Sequence, residues 1–256
     1  MRSPRPEVPA RPTATTDDAV LGGRLKLLQP AEGHRAGHDA ILLAAAAPAS
    51  KHAVDLGAGV GTAGLALLAR GAAERVTLIE IEPKLTLLAR ENAKRNGYEG
   101  RTEIIVADIR KLARGKSAAL RADLVIANPP FNDPSRRNAS PDVGRRRAHA
   151  AADSELDPWI AAADRTLAAG GKLVLIHRPD AIETILASLA GRFGAAEIIP
   201  IFPRPDAAAI RMIVRAIKGR RTALSLRPGL VLNDAEGRPA AAAEAILRGA
   251  SALDPA

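Results

Sequence analysis

Apolar positions in this chain cluster in short runs that end on acids, glycines or prolines, and the stretches between them repeat every three to four residues. Ala53 to Leu56, Val76 to Glu82, Thr102 to Asp108, Ala122 to Ala127 and Gly170 to His177 have the length and alternation of strands. Leu65 to Ala69, Lys84 to Asn96 with Gly97 behind it, and Pro158 to Ala168 have helical spacing. Ala40 to Ala49 is apolar all round and reads as a core helix, too short to span a bilayer. Ile198 to Phe202 and Ile210 to Ile217 read as the last strands, the final pair antiparallel, with an edge hairpin at Leu224 to Leu232 and a helix at Ala240 to Arg248. Strands alternating with helices predict an α/β domain built on a mostly parallel sheet.

In such sheets ligands bind beyond the carboxyl ends of the strands, so the residues there are the candidates for chemistry. The first strand ends in Asp55 and runs into Gly57-Ala58-Gly59-Val60-Gly61-Thr62. Glycines tolerate positive φ and let a ligand lie against the backbone, and the helix that follows presents unpaired N–H groups. Gly59-x-Gly61-x-x-Gly64, with Glu80 some way beyond, also fits a dinucleotide fingerprint. Asp55 argues against that fit. A carboxylate beside the loop repels a pyrophosphate and attracts the ammonium of an amino-acid moiety. A sulfonium cofactor with an amino-acid tail suits it better.

The second strand ends in Glu80 and Glu82, and a carboxylate there accepts two ribose hydroxyls; Glu80 is favoured over Glu82, the alternative being two solvated acids. The third ends in Asp108, placed either to accept an adenine amino group or to cap the next helix. The fourth ends in Asn128-Pro129-Pro130-Phe131. Two prolines fix their own φ and push the preceding residues into extended backbone, so the Asn128 side chain and the Pro129 carbonyl stand as two rigid acceptors for a planar amine, with Phe131 offering a ring face. Asn and Pro also end strands in ordinary turns, so this motif draws its force from the glycine loop upstream.

Together these motifs resemble the class I S-adenosylmethionine-dependent methyltransferases that methylate amines, from about Leu25 to Ile217. Leu21-Gly22-Gly23-Arg24-Leu25 leading to Gln29-Pro30, Gly37-His38-Asp39-Ala40, and Pro200-Ile201-Phe202-Pro203-Arg204 resemble the bacterial tRNA adenine-N6 methyltransferases that act on valine tRNA. The resemblance implies a Rossmann-like fold with a seven-stranded, mostly parallel sheet, helices on both faces and an antiparallel last strand. It implies S-adenosylmethionine as cofactor, S-adenosylhomocysteine as product and no metal. Asp55, Gly57, Gly59 and Gly61 would surround the methionine part, Glu80 the ribose and Asp108 the adenine. Asn128, Pro129 and Phe131 would face the substrate amine. Other acceptors of the same superfamily stay open: a guanine amino group in rRNA, a protein glutamine, or a small-molecule hydroxyl. Glutamine-directed enzymes usually carry Tyr where Phe131 stands, and a hydroxyl would call for a base or metal.

Charge narrows the partners. The net charge is +9, from 37 basic and 28 acidic residues, which suits a polyanion. Arg136, Arg137, Arg145, Arg146 and Arg147 follow the N-P-P-F turn in an insert over 132–152 and are expected to contact phosphates rather than to form a merely solvated loop. Only five aromatic residues are present, so a folded RNA presenting one accessible base, tRNA above all, is expected over long stacked single strands. The absence of cysteine excludes disulfides and thiol catalysis and is compatible with a reducing cytoplasm. His34 and His38 have helical spacing and read as structural rather than as ligands. Residues 1–20, Pro- and Arg-rich at the start, are expected to be a flexible arm without a secretory or membrane segment; 21–256 form one domain with an extension over 218–256.

Overall fold

The computed structural model describes residues 14–32, 37–115, 120–130 and 156–253. The chain opens with a hairpin of β1 (Thr15–Val20) and β2 (Leu25–Pro30), paired antiparallel and turned through a short 3-10 segment at Leu21–Gly23. Residues 15–20 fall within the stretch expected from its Pro- and Arg-rich start to be a flexible arm. They form a strand because every residue of β1 pairs with an apolar-rich β2 whose Leu25 and Leu27 are fully buried.

The main sheet follows. Its strands are β3 (Ser50–Leu56), β4 (Ala73–Glu80), β5 (Thr102–Val106), β6 (Ala122–Ala127), β7 (Leu167–His177), β8 (Phe193–Phe202) and β9 (Arg211–Lys218). Two short strands, β10 (Ser225–Leu226) and β11 (Leu230–Val231), join its edge. The order is β10-β8-β9-β7-β6-β3-β4-β5, with β9 antiparallel to both neighbours and the other long strands parallel. The seven long strands match the sequence expectation, including the antiparallel final strand. The expected hairpin at Leu224 to Leu232 does not form. β10 and β11 each pair parallel with β8, because Pro228-Gly229 returns the chain along the same edge, where Gly229 lies against the Phe202 ring.

Helices α1 (His38–Ala46), α2 (Thr62–Ala69), α3 (Pro83–Arg95), α4 (Ile109–Arg114), α5 (residues 156–166), α6 (Ile182–Leu189) and α7 (Ala241–Leu247) cover both faces. Alternation along each strand sends one set of side chains to each face. Ala53, Leu124, Ile126, Val174 and Ile176 meet the hairpin, α1, α2 and α7, while Val54, Leu56, Val125, Leu173 and Leu175 meet α5 and α6. α1 is apolar all round and buried from Ala40 to Ala46, which is what a helix enclosed on every side requires. Fully burying each such leucine stabilises the fold by roughly 1.5–3 kcal/mol. Arg215 ties the extension over 218–256 to this layer by donating to the carbonyls of Ala46 at 2.9 Å and Leu253 at 2.7 Å. None of the described helices is long and apolar enough to cross a membrane.

Candidate active site

The parallel strands β3 to β6 end on one side of the sheet, and the chemistry-bearing residues of the sequence gather there. Asp55, one residue before the end of β3, is buried at 3% exposure and accepts a hydrogen bond of 2.9 Å from Gly64 N–H in the first turn of α2. Burial pushes its carboxyl up to about 7, the Gly64 bond opposes that rise, and the Glu80 carboxylate adds to it. At Gly64 a Cβ would stand 2.4 Å from Leu78 Cδ2 and 3.2 Å from Asp55 Oδ2, so the helix approaches the sheet this closely only with glycine.

The loop between them turns through positive φ at Gly57 (69°), Gly59 (57°) and Gly61 (90°), closed by Gly61 N–H donating to the Ala58 carbonyl at 2.8 Å. Glu80, at the end of β4, reaches across to it. One carboxylate oxygen accepts from Gly59 N–H at 2.8 Å, and the other from Ile81 and Glu82 N–H at 2.8 and 2.9 Å. Glu82 instead caps α3, accepting from Lys84 N–H at 3.3 Å, so the two acids have different roles and Glu80 is the one at the loop. Asp108 likewise caps α4 by accepting from Arg110 N–H at 2.8 Å; the capping role open in the sequence is filled, and one carboxylate oxygen carries it.

Asn128 follows β6 directly. Leu56 pairs with Ala127 in the β3–β6 ladder, so the next rung sets Asn128 level with Gly57. Its side-chain oxygen is buried and has no hydrogen-bond partner among the described residues. Pro129 is buried and Pro130 exposed. This end of the sheet thus holds an acid next to glycine N–H groups, a second acid bent around the same loop, and an unsatisfied amide oxygen beside it. Those are features of a site for a cationic amino-acid moiety next to a hydrogen-bond donor.

Residues 36–200 match the profile of the methyltransferase small domain family. The chain belongs to that family. A curated relative from Glaesserella parasuis, the tRNA1(Val) (adenine(37)-N6)-methyltransferase, is 32% identical over 58% of this chain; the match spans 61% of that protein's own length. Among solved structures, an Agrobacterium tumefaciens protein described as a predicted O-methyltransferase is 31% identical with a TM-score of 0.69, covering 84% of this chain and 98% of that one. A Thermus thermophilus 16S rRNA N2 methyltransferase, solved with AdoMet and guanosine, superposes with a TM-score of 0.54 at 18% identity, over 80% of this chain and 50% of that one. The methyltransferase fold expected from the sequence is therefore the one present.

Within this family member, Asp55, Gly57, Gly59, Gly61, Glu80, Asp108, Asn128 and Pro129 all lie at the carboxyl ends of β3 to β6 or in the turns beyond them. Phe131, Arg136, Arg137, Arg145, Arg146 and Arg147 lie outside the described residues, as does His34. No group of three His, Asp or Glu side chains gathers among the described residues as it would around a metal.

Several contacts around the site escaped the sequence reading. Trp159 of α5 packs its six-membered ring under Gly57, where a Cβ would come within 2.4 Å of Cη2. Its signal was only that it is the chain's single tryptophan. Ile81, beside Glu80, is 60% exposed and offers an apolar surface at the end of β4. Asp39 at the start of α1 binds Arg211 Nε of β9 at 2.8 Å, pinning α1 to the same end of the sheet. His177, buried at the end of β7, is pushed down to about 4 by burial and so stays neutral at physiological pH. Asn92 of α3 contacts the glycine loop from behind.

Proposed function

We propose that this protein transfers the methyl group of S-adenosylmethionine to the exocyclic N6 amine of an adenosine in tRNA. The observation that carries the reading is the buried, unpartnered side-chain oxygen of Asn128 at the end of β6. Leaving such an acceptor unsatisfied costs about 1–3 kcal/mol, and at this end of the sheet, level with the glycine loop, a ligand N–H can offset that cost. An exocyclic amine has two N–H groups. One would donate to Asn128 Oδ1 and the other to the Pro129 carbonyl, which raises the electron density on the amine nitrogen and makes its lone pair more nucleophilic.

When bound, S-adenosylmethionine would supply a sulfonium methyl for in-line transfer to that lone pair, the carbon–sulfur electron pair going to sulfur, and the methylated nitrogen would then release its proton. Alignment of amine and methyl is the main task, worth up to about 7–11 kcal/mol when the reacting atoms are held at near-attack distance. Asp55 and the glycines at 57, 59 and 61 would hold the methionine part, with the Asp55 carboxylate facing its ammonium. Glu80 would accept the ribose hydroxyls and Asp108 the adenine amino group through its second oxygen. Phe131 would stack on the acceptor base, worth about 1–3 kcal/mol.

The tRNA acceptor is supported by the name of the Glaesserella relative and by the +9 charge of the chain. Arg136, Arg137, Arg145, Arg146 and Arg147 are proposed as its phosphate contacts. The test is transfer of labelled methyl from S-adenosylmethionine to total tRNA by wild type and Asn128→Ala, followed by nucleoside analysis. Label in N6-methyladenosine that vanishes in the variant is the expected result. Label in another RNA, in protein glutamine or on a small-molecule hydroxyl keeps the cofactor chemistry and replaces the acceptor.

A further inference from the structure

Asn92 is the one asparagine with 0% exposure among the described residues, and its amide makes three hydrogen bonds to two distant segments. Its Oδ1 accepts from Leu28 N–H at 2.7 Å, and its Nδ2 donates to the Leu28 carbonyl at 3.0 Å and to the Val60 carbonyl at 3.0 Å. One turn further along α3, Asn96 repeats the first half of this pattern on β2. Its Oδ1 accepts from Lys26 N–H at 2.9 Å, and its Nδ2 donates to the Lys26 carbonyl at 2.7 Å and to the Asn92 carbonyl at 2.7 Å.

The geometry follows from two periods. Residues four apart on a helix stand about 5–6 Å apart, close to the spacing of alternate residues on a strand, roughly 6.6 Å. Alternate residues also point their N–H and C=O groups to the same side. Two amides on α3 therefore take the edge of β2 that faces away from β1, as a neighbouring strand would. The two asparagines differ in their third bond. Asn96 spends it within α3, whereas Asn92 spends it on the glycine loop.

Val60 lies between Gly59 and Gly61, and its carbonyl shares a rigid peptide plane with Gly61 N–H. That N–H donates to Ala58 at 2.8 Å. The plane is thus clamped at both ends, by Ala58 on one side and Asn92 on the other, at the point where φ of Gly61 is 90°.

We propose that Asn92 is a positioning residue for the methyltransferase reaction: its amide locks the Val60–Gly61 peptide of the cofactor loop with one bond while its other two hold the N-terminal hairpin, so that cofactor affinity depends on the Asn92 bond to the loop rather than on hairpin docking. The inference rests on the reading of this loop as the S-adenosylmethionine site. Removing the amide releases the loop peptide and the hairpin together, while removing Asn96 releases the hairpin alone.

The experiment compares wild type, Asn92→Ala and Asn96→Ala by calorimetric titration with S-adenosylhomocysteine, by thermal unfolding, and by steady-state methylation of total tRNA at varied S-adenosylmethionine. Both variants lower the unfolding midpoint. Asn92→Ala is expected to weaken S-adenosylhomocysteine about tenfold and raise the KM for S-adenosylmethionine in step, with kcat within about twofold; Asn96→Ala is expected to leave both constants within about twofold. If Asn92→Ala is recovered unfolded, Asn92→Ser, whose hydroxyl keeps one donor, is read by the same constants. Equal effects of the two positions on cofactor affinity, or none from either, overturn the assignment of Asn92. Wild-type protein that binds no S-adenosylhomocysteine overturns the reading of the loop itself, a different failure with a different signature.

Discussion

Asn92 and Asn128 carry the same side chain, each with its amide oxygen shielded from water, and the fold treats them in opposite ways. Asn92, in the seam between α3 and the hairpin, makes three hydrogen bonds with its side chain. Asn128, where β6 opens onto the glycine loop, leaves its oxygen with no partner among the described residues. Burial alone therefore does not mark a functional group. A satisfied buried amide fixes two backbone segments; an unsatisfied one beside the glycine loop is, on the proposed reading, left to take a ligand's donor.

The sharpest way to break this contrast is to truncate both residues and separate activity from stability. Asn128→Ala should lower kcat for methyl transfer to tRNA by about 10²–10³, equivalent to roughly 3–4 kcal/mol of barrier, while the urea midpoint stays at or above that of wild type. A loss of stability as large as the loss of turnover would make Asn128 an ordinary structural residue. Asn92→Ala should do the reverse, costing about 3 kcal/mol of folding stability in urea unfolding because two carbonyls and one N–H lose their partner.

Gly57→Ala probes the loop that lies between the two asparagines. It forces a Cβ against the Trp159 ring at a φ of 69°, and should cost about 2 kcal/mol in the same unfolding assay, accompanied by a shift in Trp159 fluorescence. A cost near zero would mean that α5 moves freely over the loop.

The pH dependence of Asp55 tests whether the acid beside the loop is stored for a ligand in the same sense as Asn128. Its carboxyl is pushed up to about 7 in the fold, against an ordinary value of 3.8. Between those values the unfolded chain binds fewer protons than the folded one, so the contribution to stability falls as pH rises from about 4 to 7 and levels off above. A ligand ammonium favours the ionised form, so S-adenosylhomocysteine affinity should rise with pH over the same window, by at most about tenfold or 1.4 kcal/mol per unit, and flatten past 7. Calorimetry between pH 5.5 and 8 reads this slope; a flat profile would place the ammonium elsewhere. The smallest effect is expected at Asp17, whose exposed pair with Arg95 at 2.5 Å also links the hairpin to α3. Asp17→Ala should change stability by about 0.5 kcal/mol or less, showing that the asparagine amides and the buried leucines hold the hairpin.

Asp55, Glu80 and Asn128 were legible in the sequence because each terminates an apolar run, and in a parallel sheet the ends of such runs converge on one side. Asp108 was legible as two possibilities, and its cap on α4 is now filled. Asn92 was not legible. It sits in Lys84 to Asn96 as one polar residue among several, and a period of 3.6 places it on a face without saying what that face meets. The hairpin escaped for a related reason: β1 exposes alternate residues and its strand character comes from pairing with β2 across the turn.

By itself the amino-acid sequence determined the order of the seven long strands, the glycines that permit a tight loop and the acids and amide that end the strands, since each depends on residues within a few positions of one another. The tertiary structure decided that Glu80 rather than Glu82 bends around the loop, that burial drives Asp55 toward neutrality, and that Asn92 is satisfied while Asn128 is not. Those outcomes turn on hydrogen bonds and desolvation between segments 20 to 70 residues apart, as in Gly59 with Glu80 and Leu28 with Asn92, and only the folded chain brings such partners within reach.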